Sequence, residues 1–390
     1  MHAKLHPVES VLYIIYLLWL AQAIYCLINL IRFRNAARLE KASKSTFTPK
    51  TVVIVAIKGI NEYSTEFLNR ISNQDYPDYR LIFSVESKSD PAYEVVKDFA
   101  EVVVAGLASN CAQKVHNILH ALEHISGSDQ VVAFADSDIL PDTSWLRSLV
   151  APLEDPKVGV ASTGRWLLPS NNSLASRVAS TIHASINTQG GAEWRNVAWG
   201  GTMALRTETI ANANITQALD TKITDDLCIT AAVRKAGLGV HYIHHLQALS
   251  PAAFNWKSLF HFARRQYAIV RMCAPLTWIA GALSTATYTI GLFCAVFGVI
   301  LGNRLALISL IIVFALDFQR GLQREKLAQE IFSEDVYKDL KPSFILEKYA
   351  TAFWMLLHGI FVWSTLFKTT ISWAGRTYRV RSGGLVSKLG

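Results

Sequence analysis

"QVVAFADSD", residues 130–138, decides how this chain is read. Its first half is apolar and β-branched, as a strand buried on both faces requires. Its second half delivers Asp136 and Asp138, two carboxylates at positions i and i+2, which a strand points to the same side. Two acids so placed repel each other unless a cation lies between them and another anion. Mg²⁺ or Mn²⁺ with oxygen ligands and a diphosphate meets that requirement.

Working outward, "TVVIVAIK" (51–58), "YRLIFSVE" (79–86) and "EVVVAG" (101–106) read as further buried strands. They alternate with helix-like stretches at 61–74, 91–100 and 112–125, and Pro91 and Pro141 stand where helices should begin. The alternation predicts an α/β fold with a mostly parallel sheet, whose ligands bind beyond the carboxyl ends of the strands. Asp136 and Asp138 fall at such an end.

Composition excludes an ordinary soluble protein. Apolar residues make up 51% of the 390 positions and charged ones only 17%, because long stretches carry no charge at all. Residues 10–31 are long enough to cross a bilayer as a helix, and 272–303 and 349–367 are also uncharged. "LALISLIIVFAL" (305–316) is marginal for a crossing and is expected to be re-entrant or interfacial. The first run ends in "RFRNAARLEK" rather than small residues, so it reads as an anchor instead of a cleaved signal. Five basic residues from Arg32 to Lys44 follow that run and only Lys4 precedes it, which places residues 32 onward in the cytosol.

The net charge of +8 does not suggest nucleic acid. Residues 32–50, 257–271 and 376–390 carry +13 between them, so the rest of the chain is net acidic. Each basic cluster adjoins an apolar run, the pattern for anionic headgroups. The expected organisation is an anchor (1–32), a catalytic domain (45–252), an interfacial amphipathic segment (253–275), a transmembrane region (276–370) and a basic cytosolic tail (371–390), with "KASKSTFTPK" as a linker. The five cysteines are scattered and are expected to be free thiols.

Six stretches, in order, carry a family likeness: "QDYPDYRLIFSVESKSDPA" (74–92), "AQKVHNIL" (112–119), "FADSDILPDTSWL" (134–146), "WGGTMALR" (199–206), "ITDDLCITAAVRKAGLGV" (223–240) and "TTISWAGRTYRVRSGG" (369–384). Together they resemble the ceramide glucosyltransferases and their bacterial relatives, membrane-anchored GT-A glycosyltransferases. The resemblance implies transfer of glucose, with inversion, from UDP-glucose to the primary hydroxyl of ceramide at the cytosolic membrane face. Diacylglycerol or another lipid, with a different UDP-sugar, is the alternative. It also implies a first acid for the nucleotide, a metal-holding DxD, a third Asp as base and a basic-aromatic motif at the diphosphate.

Carried over by position, the first acid falls at Ser87, so Glu86, which ends a strand, or Asp90 must serve. Asp136 and Asp138 complete the metal pair for Mn²⁺ or Mg²⁺. Lys114 matches a lysine near the phosphates, although a solvated helix lysine reads as well. Asp226 falls on the base position with Asp225 as alternative, and N-capping of the following helix is the plain structural reading of either. In "FHFARRQYAIVR" (260–271), Arg264 or Arg265 meets the diphosphate, His261 takes the first motif position and Tyr267 replaces a tryptophan. Trp199, Gly200 and Gly201 suit close approach to a ligand or simply a tight turn.

Other features read as structure. His116, His120 and His124 share one helix face without a fourth zinc ligand. "HYIHH" (241–245) lies in a strand-like run and reads as structural or acceptor-side. A transporter or lipid-binding protein would show ionisable residues or broken helices inside its spans, and only His358 lies in one of the three expected above.

Overall fold

A computed structural model of the chain describes residues 7–42 and 45–389. Lys4, residues 43–44 of the linker and Gly390 lie outside the described residues. A seven-stranded sheet forms the centre, built from β1 (Thr51–Ala56), β2 (Tyr79–Val85), β3 (Glu101–Val104), β4 (Val131–Asp136), β5 (Val158–Ser162), β7 (Thr202–Arg206) and β8 (Gly239–Tyr242). Their order is β3-β2-β1-β4-β7-β5-β8. Strands β1 to β4 pair in parallel, and β7 runs antiparallel between β4 and β5. The expected mostly parallel α/β sheet is what forms, with β4 in its middle and Asp136 at its last position. Its two faces bury separate apolar cores, as the doubly apolar strands require.

Short helices cover the sheet. Asp90 caps the helix Pro91–Val96 by accepting from Ala92 N, with Pro91 in the first turn where its missing N–H costs nothing. Beside the main sheet, β6 (Arg165–Pro169) pairs in parallel with β9 (Ala248–Ala252). The basic stretch at the chain's end is not a loose tail. It forms a three-stranded sheet of β10 (Thr370–Trp373), β11 (Arg376–Arg381) and β12 (Leu385–Leu389), with Ile371, Tyr378 and Val380 buried in the same core as the β4 residues Val132 and Phe134.

Three helices are long and apolar enough to cross a membrane: Glu9–Lys41, Pro275–Ile300 and Arg304–Ile331. This changes the expected set of crossings. Residues 305–316 open a 28-residue helix rather than a short re-entrant piece. The uncharged run 349–367 holds only the 13-residue helix Thr351–Trp363, bent 94° from Glu334–Tyr349 before it. Charge cuts the 305–316 run short in the sequence, but Asp317, Arg320 and Arg324 are buried and neutralised. Arg320 pairs with Asp317 at 3.0 Å and lies over the Trp354 ring, and Arg324 contacts Glu347.

The end of the first helix is fastened to the segment after β8 by Glu40, which accepts from the backbone N–H of His244 and pairs with the rings of His244 and His245. "HYIHH" is thus structural. So is the histidine row: the His116 ring bonds Ala105 O at 2.9 Å and the His124 ring bonds Glu101 at 2.6 Å. The five cysteines are free.

Candidate active site

Asp136 ends β4, and its backbone N–H donates to Gly201 O at 3.1 Å, so the Trp199–Gly201 turn is stitched to the acidic edge. Lys114, from the helix Gln113–Leu122, reaches the same edge. Its Nζ lies 2.8 Å from Asp136 Oδ1 and 3.1 Å from Asp225 Oδ2. The solvated reading of Lys114 fails, because its side chain is largely buried between two carboxylates. Burial opposes its charge, but Asp136 and Asp225 outweigh burial and raise its pKa. Burial likewise opposes ionisation of Asp136, and Lys114 and then Arg165 hold its pKa below the ordinary value.

The third acid site separates two neighbours. Asp225 is buried at 2% exposure, while Asp226 as a residue is partly exposed. Asp226 Oδ1 accepts from Thr224 Oγ1 and Leu227 N, both at 2.7 Å, and Oδ2 accepts from Gly200 N at 3.3 Å. Burial, and next the Asp225 charge, push the Asp226 carboxyl up to about 6. Asp225 is the residue before the helix Asp226–Lys235, yet its side chain makes no cap bond, so capping does not explain it. The glycines find a reason in the site's own packing. A Cβ on Gly200 would fall 2.4 Å from Asp225 Oδ2, and one on Gly201 would fall 2.1 Å from the Trp199 ring.

Sequence reasoning missed Arg165. Standing at the start of β6, it places Nη2 3.2 Å from Asp136 Oδ2 and Nη1 3.4 Å from Asp138 Oδ2, with its guanidinium 4.9 Å from the Trp199 ring centroid. Nothing local marked it, since its carboxylate partner Asp136 lies 29 positions away. Asp138 keeps one buried oxygen, Oδ1, without a hydrogen-bond partner. Among the described residues no group of three His, Cys, Asp or Glu is arranged to hold a metal ion. Both oxygens of Asp136 are engaged, by Lys114 and Arg165, so Asp138 Oδ1 is the unpartnered oxygen of the pair.

The remaining expected residues divide. Glu86 is bound by Lys58 at 3.1 Å and by Arg376 of β11 at 2.8 Å, and Arg376 also donates to Gln113 Oε1. Asp90, the other option, is occupied as a helix cap and as acceptor for Gly59 N. On the helix Trp256–Cys273, Arg265 is the arginine within electrostatic reach of the acids. Burial and the nearby Arg165 lower its pKa, and Asp138 and Asp136 oppose that. Arg264 turns away and donates to Ser364 O at 3.1 Å. Tyr267 donates to or accepts from His358 Nε2 at 2.6 Å, and His261 is exposed. Neither joins the acidic cluster. Arg376 is a second residue that sequence reasoning did not single out, because its partner lies 290 positions away.

Residues 11–386 match the model of glycosyl transferase family 21. The chain belongs to this family, the ceramide glucosyltransferase family. No curated protein sequence matches it. Similar solved structures include a mannosyltransferase from Pyrobaculum calidifontis in complex with GDP-Man and Mn²⁺, 15% identical over 90% of this chain and 99% of that one, with a TM-score of 0.43. Another is S. aureus TarS 1–349 with UDP-GlcNAc, at 12% identity, 87% and 99% coverage and a TM-score of 0.38. A third is glucosyl-3-phosphoglycerate synthase from Mycobacterium tuberculosis with Mn²⁺, UDP and glucosyl-3-phosphoglycerate, at 14%, 60% and 81%, and 0.35. As a family-21 chain it is a glycosyltransferase, and the convergent acids are where its chemistry is to be sought.

Proposed function

We propose that this family-21 enzyme moves glucose from UDP-glucose to the primary hydroxyl of ceramide, with inversion, at the cytosolic face of a membrane it crosses more than once. The observation that carries the reading is the Asp226 carboxyl, raised to about 6 by burial and the Asp225 charge, beside the lysine-clamped pair Asp136 and Asp225. A base that must take a proton from an alcohol while the bond to the anomeric carbon forms works best with its pKa near the working pH. Asp226 fills that role: mostly ionised at neutral pH, yet far more basic than an exposed aspartate. Asp225 raises it and is itself held by Lys114.

The leaving nucleotide carries negative charge, and three cations stand near its expected place. Lys114 and Arg165 are paired to the acids and Arg265 faces them from the Trp256–Cys273 helix. Asp136 and Asp138 would hold Mn²⁺ or Mg²⁺, which supplies positive charge at the departing diphosphate. Glu86, oriented by Arg376 and Lys58, is assigned to the nucleotide, and Trp199 to the sugar or acceptor. Exposed Phe353, Ile360, Trp363 and Phe367, beyond the Trp256–Cys273 helix, favour a lipid acceptor reaching the site from the bilayer side.

Purified protein in nanodiscs, given radiolabelled UDP-glucose, Mn²⁺ and a panel of ceramide, diacylglycerol and sterol, tests this. The expected product is β-glucosylceramide, formed at a rate that chelation reduces and that Asp226→Asn lowers by about 100-fold or more. Transfer to diacylglycerol alone overturns the acceptor, and full activity of the Asn variant overturns the base.

A further inference from the structure

A basic cavity lies away from the acids and shares no residue with them. It has a volume of about 540 Å³ and is lined by Arg271 and Met272, Thr369, Arg379, Val380 and Arg381 of the chain-end sheet, and Ser382 and Ser387. Three arginines, a threonine and two serines stand in the lining, without one acidic residue.

The backbone explains how the arginines arrive. Strand alternation buries Tyr378 and Val380 against the catalytic core and turns Arg379 and Arg381 to the opposite, exposed side. Among the described residues neither of these two forms an ion pair, whereas Arg376 of the same strand is fully engaged by Glu86 and Gln113. Arg271 comes from the last turn of the Trp256–Cys273 helix. One of its Nη groups donates to Lys368 O, but its Nε is buried with no partner. A buried guanidinium N–H left unmade is costly, and gathering like charges adds to the cost, unless an anion is shared among them.

Position narrows the chemistry. Arg271 stands four residues before Pro275, where the second membrane-length helix begins, so the cavity lies at the depth of lipid headgroups. We propose that this cavity binds one anionic phosphate ester through Arg271, Arg379 and Arg381, with the hydroxyls of Thr369 and Ser382 taking the remaining oxygens, while the Ser387 hydroxyl donates to Arg379 O. A phospholipid headgroup and a soluble phosphate ester present the same group, and the experiment distinguishes them.

Native mass spectrometry of the full chain in neutral detergent, titrated with phosphatidic acid, reads the site directly. One equivalent of phosphatidic acid should bind at least about tenfold more tightly than phosphatidylcholine, the discrimination expected of a single charge-assisted contact. Arg379→Gln/Arg381→Gln should abolish that preference, and Arg379→Lys/Arg381→Lys should retain part of it at an unchanged melting temperature. Competition by glycerol phosphate or inorganic phosphate at equal concentration assigns the site to a soluble ester, and its absence assigns the site to the lipid. Equal binding of the two lipids by the unmodified chain, with no phosphate bound, overturns the proposal even if the Gln variant fails to fold. Unaltered preference in a folded Gln variant overturns it as well.

Discussion

Removing the charge of Asp225 should make its neighbour a weaker base, because after burial that charge is the largest influence raising the Asp226 carboxyl. For the unmodified enzyme the acid limb of kcat should lie near pH 6, with activity falling as pH falls through it. In Asp225→Asn the limb should move down by a unit or so in order of magnitude, since Lys114 loses one partner and its charge then acts more strongly on Asp226. A pH–rate profile that stays fixed in this variant removes Asp226 from the role of base. Stability should carry the same signature with its own sign. The folded chain binds the Asp226 proton more tightly than the unfolded chain, whose carboxyl has the ordinary value of 3.8. This contribution to stability is complete below about that value and is lost as pH rises through about 6, so Asp226→Asn should be relatively more stable than the parent above pH 6, in thermal melts. The site's acids were legible residue by residue, because a buried run seldom ends in paired carboxylates unless a cation or a partner holds them. Arg165 was not. It follows "ASTG", a stretch with no charge pattern, and its partner Asp136 lies 29 positions away.

Strand β11 acts as a brace between the chain's end and Glu86, the residue proposed to meet the nucleotide. Arg376 bonds Glu86 and Gln113 together, and the Tyr378 hydroxyl accepts from Gln113 N. Arg376→Gln should therefore raise KM for the UDP-sugar several-fold, about the loss of one charge-assisted bond, while kcat changes little, because Arg376 touches none of the acids assigned to the chemistry. Steady-state kinetics with the donor varied check this, and a fall confined to kcat would place Arg376 elsewhere in the cycle. A different element interface depends on an absent side chain. Gly291 lets Trp19 of the first helix lie against the Pro275–Ile300 helix, and a Cβ there would meet the indole at 2.4 Å. Gly291→Val should cost about 1–3 kcal/mol by overpacking, read as a lowered melting temperature in detergent. At this scale the sequence revealed β1 to β4 because their apolar runs are continuous. It did not reveal the chain-end sheet, whose strands are short and alternate arginine with buried residues, so charge masked the apolar face. Nor could it locate the break at Ala350. Tyr349 and Thr351 both lie in helices, and only the packing of each explains the 94° turn between them.

For the whole molecule, the chain-end sheet constrains the path through the membrane. Because β10 to β12 pack into the catalytic core, the segment between residues 252 and 370 must return to the side it left, and so crosses an even number of times. Pro275–Ile300 and Arg304–Ile331 are the two helices of this segment long and apolar enough by themselves, and if both cross, the bent pair that follows must not complete a crossing. Packing agrees: Arg34 and Arg38 near the end of the first helix both pair with Glu330 near the end of the third, while Tyr16 near its start bonds Cys294 O. The first and third helices thus run in the same direction, with the second returning between them. The basic residues at 32–44 predict that the catalytic side is cytosolic. Cysteines introduced at Asn303, in the turn between the second and third helices, and at Thr377, on the exposed side of β11, should react with an impermeant maleimide from opposite faces of sealed vesicles. Labelling of both from one face would mean either that Pro275–Ile300 does not cross, or that the crossings after residue 252 are odd in number, in which case the chain-end sheet could no longer reach Glu86.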